Sequence, residues 1–279
     1  MTTLPLAHSL FRRALRDAPG PALGTWVKLT GLESMELVAL AGFDFAIVDL
    51  EHAAMSVETA FHHIGTALRA GVAPIVRIPA LEGGIVQRLL DAGAEGIMMP
   101  HVDTAAQAEA VVRAARFPPR GDRGVGSTSR AGAWGAVSRD EYLRYGREEV
   151  VVIAQIESAE AVANTTAIAA VDGLDAVLIG AADLATGLGR TETDPEVRAL
   201  IAAAVRDART AGIPVGMAGG PSRQGVADAV AAGFGFCVLG NDAGYLREAA
   251  TAAVAEARTV LRAEDSPQPP PARHASDTE

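Results

Sequence analysis

Short runs of β-branched and aliphatic residues recur along the chain, separated by longer stretches in which apolar positions return every three or four residues. Eight runs stand out: GTWVKL (24–29), FAIVDL (45–50), PIVRIP (74–79), GIMMPH (96–101), VVVIAQIE (150–157), DAVLIG (175–180), IPVGMA (213–218) and FGFCVLG (234–240). Most are continuously apolar rather than alternating, which marks parallel strands covered on both faces. Between them lie segments of helical period such as SVETAFHHIGTALRAG, GGIVQRLLDAG, TAAQAEAVVRAAR and DPEVRALIAAAVRDARTAG. Several of these end in Ala-Gly just before the next strand, where a glycine can take the left-handed conformation that closes a helix. Eight strand–helix units in 279 residues predict a single-domain (β/α)8 barrel over residues 1–262, with a doubly wound open sheet as the alternative.

A barrel presents its chemistry at the carboxyl ends of its strands and in the loops that follow. The polar residues at those positions are Lys28; Asp49, Glu51 and His52; Arg77; His101; Gln155 and Glu157; and Asp183. Two segments break the rhythm. Residues 116–135, RFPPRGDRGVGSTSRAGAWG, form a connection too long and too rich in Gly, Pro and Arg to be routine, so a functional loop near the rim is expected, with arginines suited to anions. Residues 263–279 are Pro-rich and polar and read as a disordered tail.

Composition narrows the partners. A formal charge of −10 gives nucleic acid or an anionic membrane no electrostatic reward, and no apolar run approaches the ~20 residues of a membrane span. Cys237 is the only cysteine, so neither an intrachain disulfide nor a thiolate cluster can form. The arginines near the N-terminus follow the weak apolar stretch instead of preceding it, which is the wrong order for a secretory signal. The expectation is a cytoplasmic protein acting on small molecules.

Individual residues carry competing readings. Glu157 and Asp183 end successive strands; two carboxylates with water and substrate oxygens suit Mg2+, Mn2+ or a similar ion, whereas the plainer reading is a pair of solvated acids or helix caps. His52 titrates near neutrality and is a candidate general base, which Asp91 would orient if the fold brings them together. Arg77 interrupts an apolar strand, so its planar fork wants either an anionic substrate or a structural ion pair with Glu51 or Asp49. His62 and His63 read as ordinary helix residues. Lys28, the only lysine, is the sole candidate for a Schiff base.

The collinear motifs GTWVKL, AGFDFAIVDLEHA, PIVRIP, LLDAGAEGIMMPHV, ARFPPRGDRGVG, AQIES and DAVLIGAADLA, over about residues 20–262, resemble the metal-dependent pyruvate aldolases of the HpcH/HpaI type. The resemblance implies a (β/α)8 barrel binding Mg2+, Mn2+ or Co2+ through Glu157 and Asp183. Pyruvate would be the product held there and an aldehyde its partner. His52 paired with Asp91 would be the acid/base. Arg77 would hold the keto oxygen and stabilise the enolate, with Gln155 nearby. The backbone amides of Ala181 and Ala182 would receive the substrate carboxylate. Lys28 has no role in this scheme.

The resemblance also implies a homo-oligomer, a hexamer built from dimers that exchange C-terminal helices, with the 116–135 loop reaching a neighbouring site. Two departures bear on electrophile preference and the tightness of pyruvate binding: GAADLA stands where members commonly show GPADLS, and DLEHAA where many show DGEHAP. A related lyase acting on CoA thioesters and a non-catalytic 2-oxo-acid-binding barrel are the alternatives.

Overall fold

A continuously apolar parallel strand needs cover on both faces, and a barrel supplies it with helices outside and the strands' own side chains inside. The computed structural model, which describes residues 8–82 and 84–264, has that form: a closed barrel of eight parallel strands in sequence order, as the pattern predicts. In chain order come α1 (Leu10–Asp17), β1 (Ala22–Val27), α2 (Leu32–Leu40), β2 (Phe45–Asp49), α3 (Val57–Ala70), β3 (Ala73–Arg77), α4 (Ile85–Asp91), β4 (Gly96–Met99) and α5 (Ala105–Ala115). A 3₁₀ segment (Arg130–Gly135) follows, then α6 (Arg139–Glu148), β5 (Val151–Ile156), α7 (Ala159–Ala163), α8 (Thr165–Ala169), β6 (Ala176–Ile179) and α9 (Ala181–Gly187). The last elements are α10 (Pro195–Thr210), β7 (Val215–Gly219), α11 (Arg223–Ala232), β8 (Phe236–Asn241) and α12 (Asp242–Glu264).

Strand alternation sorts the side chains. Phe45 and Ile47, Ala73 and Ile75, Val151 and Ile153, and Ala176 and Leu178 form one buried cluster, while the intervening Ala46, Val48, Val76, Val152 and Val177 belong to another that includes helix residues such as Ala60, Ile64 and Ala67. Continuing the first set by two residues toward the carboxyl ends reaches Asp49, Arg77 and Gln155. One register thus runs from an apolar floor to a polar mouth. Large rings fill the floor only because small residues face them: a β-carbon at Gly24 would lie 2.2 Å from the Phe45 ring. Phe11 of α1 closes that end, edge-on to Phe45 at 5.0 Å and Phe236 at 5.5 Å. The sequence pattern did not single out α1.

The 116–135 loop departs from expectation in what its arginines do. Arg116 pairs with Asp175 at 2.7 Å and donates to the Val150 carbonyl, Arg120 pairs with Asp172 at 2.6 Å, and Arg123 pairs with Asp91 at 2.7 Å. Arg130 lies over the Phe61 ring at 3.5 Å and donates to the Ala92 carbonyl. These cations pin the loop to the chain instead of waiting for an anion. Burial explains the choice at Arg116 and Arg123, because a desolvated guanidinium must be paired.

The chain divides into two compact units, Met1–Asp242 and Ala243–Glu279. Helix α12 runs to Glu264, past the start of the expected tail, and the remainder of that tail, 265–279, lies outside the described residues. Among the described residues, no helix is long and apolar enough to cross a membrane.

Candidate active site

Asp49 and Arg77 are register partners on β2 and β3 and meet at the mouth of the barrel. Both are buried. Arg77 Nε donates to Asp49 Oδ1 at 3.0 Å and Nη2 to Oδ2 at 2.7 Å, the bidentate geometry that suits a guanidinium best. Its Nη1 lies 3.0 Å from Glu51 Oε2, an ion pair rather than a well-directed hydrogen bond, and its Cζ stands 4.1 Å over the Trp26 ring. Asp49 also accepts the backbone N–H groups of Glu51 and His52 and lies 3.4 Å from Lys28 Nζ. Burial lifts the Asp49 carboxyl, but the hydrogen bonds and charge of Arg77, the His52 N–H and Lys28 outweigh it and hold it below its ordinary value. Both readings of Arg77's ion pairing therefore hold at once, with Asp49 and with Glu51.

Across the mouth, Glu157 follows β5. Its Oε1 accepts the His101 backbone N–H at 2.7 Å and stands 2.7 Å from His101 Nδ1, while Gln155 Nε2 donates to its Oε2. Burial pushes the Glu157 carboxyl up; the His101 N–H and imidazole oppose this, and the charges of Asp183 and Glu51 add to it. A β-carbon at residue 180 would lie 2.7 Å from Glu157 Cβ, so only glycine lets β6 run this close. Asp183 sits exposed in the first turn of α9, whose first N–H groups, at Ala181 and Ala182, precede any intrahelical acceptor.

Gln155 Oε1 is buried with no hydrogen-bond partner among the described residues. An orphan amide oxygen beside mutually repelling carboxylates is an all-oxygen donor set, which is what a hard divalent cation requires. The residues fit such an ion.

One expected pair does not form within the chain. Asp91, at the end of α4, accepts from Arg123 Nη2 at 2.7 Å and from the Tyr142 hydroxyl at 3.0 Å, whereas the recorded partner of His52 is Glu51, at 3.7 Å. The 116–135 loop and α6 supply these competing donors, and their contribution is invisible from the spacing of His52 and Asp91. Lys28 is paired with Asp49, not held in an apolar pocket. His62 is exposed as expected of a helix residue, but His63 is completely buried.

One residue escaped sequence reasoning. Asp242, after β8, accepts the N–H groups of Lys28 and Leu29 and the Ser34 hydroxyl, fixing the loop after β1. Its place at a strand end was the available signal. His101 has a left-handed backbone, φ 54°, which no sequence signal reports.

A closed eight-stranded parallel barrel with a clamped guanidinium and a buried carboxylate at the carboxyl ends of its strands has the architecture of a barrel enzyme. The chain belongs to the HpcH/HpaI aldolase/citrate lyase family, whose model matches residues 22–249. It is 39% identical to a hydroxypyruvate/pyruvate aldolase from Pseudomonas aeruginosa over 77% of this chain and 80% of that one. A 4-hydroxy-2-oxovalerate aldolase from Rhodococcus jostii (strain RHA1) is 42% identical over 72% of this chain and 78% of its own. A solved HpcH/HpaI aldolase/citrate lyase family protein from Burkholderia cenocepacia J2315 superposes with a TM-score of 0.82 at 34% identity, covering 89% of this chain and 98% of that one. The family that the motifs resemble is the family to which the chain belongs.

Proposed function

We propose that the protein is a divalent-metal-dependent pyruvate aldolase of the cytoplasm that reversibly cleaves a 4-hydroxy-2-oxo acid to pyruvate and an aldehyde. The observation that carries this reading is Arg77, clamped by Asp49 over Trp26 opposite the Glu157, Asp183 and Gln155 oxygens. Glu157 and Asp183 would hold Mg2+, Mn2+ or Co2+. Bound there, the ion supplies Lewis acidity that stabilises the negative charge of an enolate. Arg77 retains N–H groups on Nη1 and Nη2 for the 2-oxo oxygen, and the amides of Ala181 and Ala182 receive the carboxylate. Ala181, with a free N–H where many members carry proline, adds a donor there. His52, exposed at the mouth, would move the proton of the 4-hydroxyl group, and Asp91 is engaged away from it within this chain.

A lactate-dehydrogenase-linked assay, run before and after exhaustive chelation, tests the reading. Pyruvate release that survives complete metal removal contradicts the metal role, and recovery with added Mn2+ or Mg2+ supports it. The CoA-thioester alternative loses ground because Arg116, Arg120, Arg123 and Arg130 are engaged inside the chain.

The working form would be a homo-oligomer, a hexamer of paired subunits that exchange α12. In support, α12 exposes Leu246, Val254, Val260 and Leu261, and the barrel unit separately exposes Leu37, Leu40 and Val230.

A further inference from the structure

His101 is left without a task by the proposed reaction, yet its geometry is unusual. It follows the end of β4 with φ at 54°, a conformation that residues other than glycine rarely adopt and that persists where surroundings fix it, often at functional sites. The turn aims its N–H at Glu157 Oε1, 2.7 Å away, and brings ring Nδ1 within 2.7 Å of the same oxygen. The opposite ring nitrogen, Nε2, lies 3.1 Å from Glu51 Oε1, and the other oxygen of Glu51 faces Arg77 Nη1 at 3.0 Å. The side chain is 63% exposed, so this arrangement is not the packing of a core histidine.

We propose that His101 is a positioning residue that ties the Arg77–Glu51 pair on one side of the mouth to Glu157 on the other, fixing the separation between the guanidinium and the carboxylate pair. The inference rests on the reading that Arg77 holds the 2-oxo acid and Glu157 a divalent ion. A carboxylate free to rotate must be reoriented each time it takes an ion. Glu157 is instead held at both oxygens, by His101 and Gln155, and the imidazole carries that order on to Glu51. Outer partners of this kind set the affinity and geometry of the groups they touch. The 2-oxo acid and the ion must be engaged together, so the link acts on both.

The test separates backbone from ring. His101→Gly keeps the N–H and relieves the left-handed strain, while His101→Asn tolerates that conformation but is too short to span both carboxylates. Mn2+ affinity, read by the electron paramagnetic resonance of the free ion, is expected to fall roughly tenfold in both variants, with KM for the 2-oxo acid rising more than kcat falls. Glu51→Gln is expected to produce part of the same loss, and Glu51→Gln with His101→Gly no more than the larger single effect. A purely structural role would move the unfolding midpoint and leave these constants alone. Variants with wild-type Mn2+ affinity and KM, or losses that simply add between residues 51 and 101, overturn the proposal while the aldolase reading stands. A wild-type protein that neither takes up Mn2+ nor releases pyruvate overturns both.

Discussion

Arg77 is held firmly, by a bidentate pair with Asp49 and the ring of Trp26. Asp49 is fully buried and hydrogen-bonded to the guanidinium fork, so Arg77→Gln removes a cation from the mouth and strands a buried carboxylate. Turnover is expected to fall about a hundredfold, roughly 3 kcal/mol, by analogy with losing an oxyanion-stabilising donor. Saturating substrate should not restore it, and steady-state kinetics with Mn2+ in excess measures this. Lys28 offers the contrast. Its amine is salt-bridged to Asp49, and a Schiff-base aldolase would need it desolvated and neutral. Lys28→Met should keep most of the wild-type turnover, and borohydride with pyruvate should leave the protein mass unchanged. A pyruvyl adduct on Lys28 in an inactive-when-substituted enzyme would instead place the reaction in the other aldolase class. Residue identity was readable from sequence because Arg77, Glu157 and the rest fall at strand ends. The partners of Arg77, Asp49 and Glu51, were readable too, but that of Asp91 was not, since its contact with Arg123 depends on how a long loop folds back.

Elements were readable wherever one local pattern governed burial. Apolar runs, most of them continuous, announced all eight strands, but α1 is a short, half-charged helix whose importance comes from one side chain meeting the barrel floor. Phe11→Ala opens a cavity between Phe45 and Phe236 and should cost about 3–5 kcal/mol, measurable by urea unfolding. The same helix is tied down by Glu95, whose Oε2 accepts from the Ser9 hydroxyl and the Phe11 N–H while Oε1 has no hydrogen-bond partner among the described residues. Burial pushes the Glu95 carboxyl up, against the hydrogen bonds from Phe11, Leu10 and Ser9, and the charge of Glu149 pushes it the same way. A folded-state value above the unfolded one means that protonation favours the fold. The benefit is complete below the ordinary glutamate value of 4.5 and is lost as pH rises through the higher folded value. Relative to Glu95→Gln, which cannot ionise, the wild type should therefore lose stability as pH is raised from acid toward neutrality. Parallel unfolding curves for the two proteins at every pH would show that Glu95 is not titrating in the fold.

At the scale of the molecule, the carboxyl-end rule turned a strand list into a list of candidate residues at the barrel mouth without any contact being known. Assembly is different, because it depends on surfaces and not on periodicity. A chain with a formal charge of −10 repels its copies, most strongly at low ionic strength, so association needs apolar burial to exceed that repulsion. Leu246, Val254, Val260 and Leu261 on α12 are each more than half exposed, and burying such a side chain contributes about 1.5–3 kcal/mol. Light scattering at micromolar concentration should return a multiple of 28.7 kDa, and moderate salt should preserve or strengthen the oligomer by screening. Replacing Leu246 and Val254 together by glutamate adds charge where apolar contact is expected. The mass should then drop toward 28.7 kDa with the circular dichroism of the barrel retained. If the unaltered chain is already a monomer in moderate salt, the exposed leucines and valines of α12 are not an interface between copies, and the exchanged-helix assembly is wrong.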